Sequence, residues 1–367
     1  LGGDEFTVVL NQLASAEDAS VVAARILDAL KAPMLIEDHE VVVTPSIGIA
    51  FAPRDAETVD ELLKLADTAM HRAKSSGRNT FALFDREMLK SGAGRLRLEA
   101  ELRKALERSE LVLHYQPQIC ARSGRILGAE ALVRWQHPER GMVPPGEFIP
   151  LAEEMGLIVE IGAWTLLEAC RNLAVLRAAG LEPPKLSVNV SSLQFNRAFS
   201  TLVKRAVAEY GIEAGRLELE LTEGVIMSNA RASIEALHEL KSLGVSLSVD
   251  DFGTGYSSLS YLSQFPLDEL KIDRSFVIAF ASSQRAEHLV RTIIAMGKSL
   301  NLRLVAEGVD ALDQFRFLRE NGVDLIQGYL FSKPVPLESL ARLLADNPFS
   351  EQIRLMDGAP QARRETT

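Results

Sequence analysis

The chain has 367 residues, 47% hydrophobic and 25% charged, which is the composition of a folded globular protein rather than a disordered, collagen-like or disulfide-stapled one. At about 150 residues per domain, this length suggests two domains, or one large barrel with a smaller piece beside it. Lys plus Arg number 40 and Asp plus Glu 50, a formal net charge of −10, so the basic excess that binds DNA or RNA through counterion release is missing.

The first stretch, residues 1–85, alternates strand and helix signals. Phe6 to Leu10 is a short β-prone run, and Ala19 to Leu30 carries apolar residues at helical spacing. Met34–Ile36 and Val41–Ala50 bracket the polar cluster Glu37-Asp38-His39-Glu40, which suits a hairpin turn. Thr58 to Lys74 is an amphipathic helix, stopped by Ser75-Ser76-Gly77, and Thr80 to Phe84 is a last strand. These boundaries predict an α+β domain over residues 1–90. The small residues Ser91-Gly92-Ala93-Gly94 predict a linker over 91–95. A helix with Leu98, Leu102, Ala105 and Leu106 on one side follows.

From Leu111 the texture changes to short apolar runs separated by helical stretches. The predicted strands are Leu111–Tyr115, Ile126–Val133, Leu186–Val190, Leu217–Leu221, Val245–Val249, Glu269–Ile272, Arg303–Val305 and Asp324–Ile326. This rhythm, sustained over about 250 residues, predicts an α/β fold of the TIM-type β/α barrel class over residues 96–348. A doubly wound open sheet is the alternative, but no GxGxxG follows any strand. Residues 349–367 are read as a polar, disordered tail. Cys120 and Cys170 fit neither CxxC nor zinc spacing and are expected to be reduced thiols of a cytoplasmic protein. No apolar run reaches membrane-spanning length. The chain opens at Leu1 directly on a motif, which predicts the C-terminal part of a longer protein whose upstream region could carry an anchor or sensor.

Polar residues collect where the strands end. They are Glu130, Asn189, Glu220, Asp250, Asp251, Lys271, Glu307 and Gln327. In a β/α barrel such residues converge at the C-terminal rim, where active sites form. A single polar strand end is usually a cap. Eight groups from seven strands, five of them carboxylates, are hard to explain as capping. Crowded carboxylates need cations, and oxygen-only donors favour hard Mg²⁺ or Mn²⁺ over Zn²⁺. The adjacent pair Asp250-Asp251 could bridge two ions about 3.5–4 Å apart, as in two-metal phosphodiester hydrolysis.

These residues carry a resemblance. Glu130-Ala131-Leu132-Val133-Arg134 resembles the signature of the EAL family of cyclic diguanylate (c-di-GMP) phosphodiesterases. Asn189-Val190-Ser191, Glu220-Leu221-Thr222-Glu223, Asp250-Asp251-Phe252-Gly253, Lys271-Ile272-Asp273, Glu307-Gly308-Val309 and Gln327-Gly328-Tyr329 match further blocks in order. The resemblance implies a modified barrel that opens c-di-GMP to the linear dinucleotide pGpG. It also implies that Glu130, Asn189, Glu220 and Asp250 hold one metal ion, with Asp250 and Asp251 shared with a second. Lys271 and Glu307 would orient or activate water, with Glu130 counted among the catalytic groups. Gln116, Arg134 and Gln327 would meet the substrate, Arg134 as a phosphate clamp. Glu223 would pin the loop after Asp251, and a homodimer would form through this domain. Gly224 departs from the Ser more usual there.

Gly2-Gly3-Asp4-Glu5-Phe6 likewise resembles the GGDEF signature of diguanylate cyclases, with Lys74 and Arg78 as phosphate contacts and Asp4 and Glu5 as vestiges of a metal and catalytic site. The resemblance implies a truncated domain that is no cyclase on its own. Two other readings stay open: a non-catalytic c-di-GMP receptor, and the regulatory domain of a bifunctional cyclase/phosphodiesterase.

Overall fold

Successive side chains of a strand point to opposite faces, and that period of two organises the larger part of this chain. The computed structural model describes residues 5–358, except 12, 14, 33, 37–38, 42, 76–78, 182–184, 228–229, 254–261, 263 and 281–283. These fall into two units, Leu1–Leu102 and Arg103–Thr367.

The first unit holds two small sheets. Strands β1 (Met34–Ile36) and β2 (His39–Val41) pair antiparallel, so His39 and Glu40, expected in the turn, belong to a strand instead. Strands β3 (Ile47–Ile49) and β4 (Phe81–Leu83) pair parallel and pack on the helix Val59–Ser75. Gly48 is a glycine because a Cβ there would lie 1.9 Å from the Ala66 carbonyl oxygen. Phe6–Leu10 is not a strand: no neighbour among the described residues supplies a ladder, and Phe6 and Val9 are exposed.

Two expected boundaries are corrected. Residues 91–95 are helical, inside one helix from Arg86 to Ala105. Two glycines there cost about 1 kcal/mol each. No proline interrupts the run, Leu98, Leu102 and Ala105 are buried, and Arg95–Glu99 and Arg97–Glu101 form i,i+4 ion pairs. Likewise Phe349–Gly358 is a helix, not a disordered tail. Phe349 and Ile353, one turn apart, are buried, and Phe349 meets Phe331 edge-on. Residues 359–367 lie outside the described residues.

The second unit is a barrel. Its strands are β5 (Leu111–Cys120), β6 (Ile126–His137), β8 (Lys185–Val190), β9 (Leu217–Thr222), β10 (Ser246–Phe252), β11 (Glu269–Ile272), β12 (Arg303–Ala306) and β13 (Leu325–Ile326). Pairing runs β6-β8-β9-β10-β11-β12-β13-β5 and closes through β5–β6. β5 is antiparallel to both neighbours and the other pairings in the ring are parallel; β7 (Gly141–Val143) extends β6 as an outer hairpin. On β9, Leu217, Leu219 and Leu221 join the apolar core under the helices, while Glu218 and Glu220 face the interior. Among the described residues no helix is long and apolar enough to cross a membrane.

The interior is polar for two layers. One pleat beneath the strand ends lie Ser187, Glu218, Ser248 and Glu269, all essentially buried. Glu218 accepts hydrogen bonds from Lys185 (2.8 Å) and Ser187 (3.0 Å), and Lys185 stands 4.0 Å from Glu269. Burial, then the charge of Glu218, push the Glu269 carboxyl well above the ordinary carboxylate value, against the opposing pull of Lys185. A carboxyl raised on folding contributes stability that is complete below its unfolded value and is lost as pH rises through its folded one. Glu269→Gln keeps a neutral donor beside Glu218. Its melting temperature should match wild type at about pH 4 and exceed it by about 3 °C or more at about pH 8. Calorimetry at both pH values checks this, and a lower melting temperature for the variant at the higher pH would contradict it.

Candidate active site

Four strands deliver carboxylates to one point, and a lysine fills it. Lys271, on β11, is fully buried, and its Nζ lies 2.5 Å from Glu307, 2.9 Å from Glu220, 3.6 Å from Asp250 and 3.7 Å from Glu130. Burial alone would lower the lysine's affinity for its proton. Asp250, Glu130, Glu220 and Glu307 outweigh it and raise Lys271 well above its usual value. Its carboxylate neighbours thus hold Lys271 as a cation.

The carboxylates differ by their surroundings. Burial opposes charge on Glu130, but Lys271 and the amides of Gln327 and Asn189 hold it below the ordinary value. Its Oε1 accepts from Asn189 Nδ2 (2.7 Å) and its Oε2 from Gln327 Nε2 (2.6 Å). Glu220 accepts from Lys271 through Oε2, while its buried Oε1 has no hydrogen-bond partner among the described residues. Burial, and repulsion from Glu130, Asp250 and Glu307 against the pull of Lys271, raise Glu220 well above normal. Burial likewise pushes Glu307 up to about 8, with Lys271 opposing and Asp250 and Glu130 adding. Four carboxylates around one ammonium leave the cluster short of positive charge.

Asp250 and Asp251 close strand β10 at a register shift. Asp251 takes a φ of 54°, rare for a non-glycine residue, and its backbone N–H donates to Asp250 Oδ1 at 2.9 Å. Burial first, then Asp250 and Asp273, raise its carboxyl. Strain of this kind, about 1–3 kcal/mol, persists where neighbours enforce it. One enforcer is Glu223, buried at the start of its helix, whose Oε2 accepts from the Gly253 backbone N–H at 3.0 Å. Residues 254–258 of the expected loop lie outside the described residues.

Gln327, after β13, bridges strands: besides Glu130 it donates to Gln116 Oε1 (3.2 Å), and its Oε1 accepts from Gln118 Nε2 (3.1 Å). Gln116 also donates to the Ser332 carbonyl. Arg134 stands half-buried four residues beyond Glu130 on β6, donating to the Val133 carbonyl. Asn189 is exposed at the rim. The structure thus brings Glu130, Asn189, Glu220, Asp250, Lys271, Glu307, Gln327 and Gln116 together and sets Asp251 and Glu223 beside them. Gln118 was missed, although Gln116-Pro117-Gln118 has the period that places two glutamines on one face. In the first unit, Glu5 and Lys74 are exposed, while Asp4 and Arg78 lie outside the described residues.

A family model described as "EAL domain" matches residues 99–334, more than half of the chain. The chain belongs to the EAL family. The EAL barrel is preceded by a match to "Diguanylate cyclase, GGDEF domain" over residues 1–80. The bifunctional diguanylate cyclase/cyclic di-GMP phosphodiesterase MucR of Pseudomonas aeruginosa is 44% identical over 346 residues, 94% of this chain and 50% of its own length. The cyclic di-GMP phosphodiesterase PdeR of Escherichia coli is 40% identical over 342 residues, 93% of this chain and 51% of its own. The chain thus spans about half the length of these curated relatives. A solved structure described as the PaMucR phosphodiesterase in complex with c-di-GMP is 46% identical, with a TM-score of 0.65, covering 66% of this chain and 99% of that one.

Proposed function

We propose that the EAL barrel hydrolyses c-di-GMP to the linear dinucleotide pGpG with the help of divalent metal ions, Mg²⁺ or Mn²⁺, two of them at full occupancy. The observation that carries this reading is the cluster of Glu130, Glu220, Asp250 and Glu307 around Lys271 at the strand ends of an EAL barrel. A protein that only bound the dinucleotide would have no use for so many buried carboxylates, so the receptor reading is not favoured.

The carboxylates face the Lys271 ammonium, and among the described residues no three His, Cys, Asp or Glu side chains are grouped as ligands. Their chemistry nevertheless fits a divalent ion. The donors are all oxygen, Glu220 Oε1 is buried without a hydrogen-bond partner among the described residues, and one ammonium does not balance four carboxylates. Glu130, Asn189, Glu220 and Asp250 would hold one ion, and Asp250 and Asp251 would share a second. Such ions supply Lewis-acid polarisation of the phosphodiester and neutralise charge developing on it.

The chain's own groups do the rest. Arg134, with a planar fork suited to phosphate, would clamp a substrate phosphate. Lys271 and Glu307, in contact with each other, would orient or activate the attacking water. Asn189 and Gln327, by filling both oxygens of Glu130, keep that carboxylate ionised and aimed. Glu223 would hold Asp250-Asp251 in register through the Gly253 N–H. Glu223→Ala is therefore expected to lower kcat about 10-fold or more and to shift the Mg²⁺ dependence to higher concentration, an effect typical of a residue that orients ligands. Superimposable activity-against-Mg²⁺ curves would reduce Glu223 to a capping carboxylate.

The first unit, with Asp4, Glu5, Lys74 and Arg78, is proposed to make no c-di-GMP from GTP on this chain alone. A homodimer through the barrel, checked by light scattering, and a cytoplasmic place in bacterial signalling belong to the same reading. The direct test is to incubate the chain with c-di-GMP and Mg²⁺ and separate the products by chromatography. A single ring-opened dinucleotide is expected; unconsumed substrate would overturn the proposal.

A further inference from the structure

Gln118 donates to Gln327, and Gln327 donates to Glu130, so an amide stands between Gln118 and the carboxylate. A glutamine amide has a donor end and an acceptor end of nearly equal size, so its orientation is set by its neighbours. Gln327 meets two acceptors on its nitrogen side, Glu130 Oε2 at 2.6 Å and Gln116 Oε1 at 3.2 Å. Gln116 is fixed in turn, because its own nitrogen donates to the Ser332 carbonyl at 3.1 Å. On the oxygen side, Gln327 Oε1 receives Gln118 Nε2 at 3.1 Å. All three glutamines are buried. The chain of amides therefore runs one way, from Gln118 through Gln327 to Glu130.

A second observation places Gln118 there by design of the backbone. Across the β5–β6 ladder Gln118 pairs with Gly128, and a Cβ on Gly128 would lie 2.2 Å from Gln118 Oε1. Any larger residue at 128 would push the amide away from Gln327. Gly128 is thus the notch that admits Gln118.

We infer that Gln118, seated against Gly128, is a positioning residue that locks the Gln327 amide so that its N–H groups face Glu130, and thereby sets the metal affinity of the Glu130 site. The inference rests on the proposed metal-dependent function. Partners of ligating carboxylates tune metal affinity typically by about 10–100-fold when lost. Gln118→Met keeps length and volume but removes both ends of the amide. Gln118→Glu keeps the shape but presents an acceptor to Gln327 Oε1, which favours the flipped amide and turns an oxygen toward Glu130. Gly128→Ala displaces Gln118 without altering it.

The experiment is calorimetric titration of the full chain with Mn²⁺, alongside melting of the metal-free protein. Wild type should bind Mn²⁺; Gln118→Met and Gly128→Ala should bind about 10-fold more weakly, and Gln118→Glu more weakly still. Metal-free melting temperatures within a few degrees of wild type would separate this from a packing defect. Wild-type Mn²⁺ affinity in a folded Gln118→Met would overturn the inference while leaving the proposed function standing. Absence of Mn²⁺ binding by wild type would instead overturn the function on which the inference rests.

Discussion

Lys271→Met is expected to cost about 3–5 kcal/mol of folding stability and to abolish turnover, because removing one partner of a buried ion pair leaves the other uncompensated. Four carboxylates lie within 3.7 Å of the Lys271 ammonium, and no other basic side chain forms an ion pair with any of them among the described residues. Methionine has similar length and no charge, so the loss is electrostatic rather than a cavity. Two of the carboxyls, Glu220 and Glu307, already sit above their ordinary values. Raised further without the lysine, they would hold protons at low pH and lose them as pH rises. The stability deficit should therefore shrink near about pH 5 and grow toward about pH 8. Urea denaturation of the metal-free chain at both pH values measures it. A deficit independent of pH would mean that the lysine's packing, not its charge, supports the barrel.

Glu130→Ala is expected to lower hydrolysis of c-di-GMP by about three orders of magnitude, about 4 kcal/mol of barrier, with the fold intact. Glu130 is held by two amides and one distant ammonium, and the volume lost faces the polar interior rather than the apolar core. Circular dichroism and melting should resemble wild type, and losing their acceptor should cost Gln327 and Asn189 little, because Asn189 is exposed and the buried Gln327 still donates to Gln116 Oε1. Wild-type turnover in this variant would remove Glu130 from the site.

Much of the barrel was legible because its strands are short apolar runs closed by a polar residue. Leu217–Leu221 and Glu269–Ile272 could be read almost to the residue, and the convergence of Glu130, Glu220, Asp250, Lys271 and Glu307 followed from their common place at strand ends. The reversed direction of β5 was not legible in its residues. A strand's period is the same either way, and Pro117, which cannot donate to the ladder, ended the predicted strand five residues early. Gly92 and Gly94 suggested a linker because propensity is local, whereas the helix through them is anchored by apolar residues a turn or more away. The polar layer of Lys185, Glu218 and Glu269 escaped notice because each residue alone looks like a solvated position beside a strand. Only barrel closure reveals them as neighbours.

The central claim is that the carboxylate cluster of the EAL barrel works by holding divalent metal for opening c-di-GMP. Its most direct measurement is pGpG formation by the purified chain, followed across Mg²⁺ and Mn²⁺ concentrations, with excess chelator and with Glu130→Ala as controls. The account predicts pGpG that appears with either ion, disappears on chelation and returns on adding metal back, and no appreciable product from the variant. Turnover that survives chelation, or that is equal in wild type and Glu130→Ala, would contradict it.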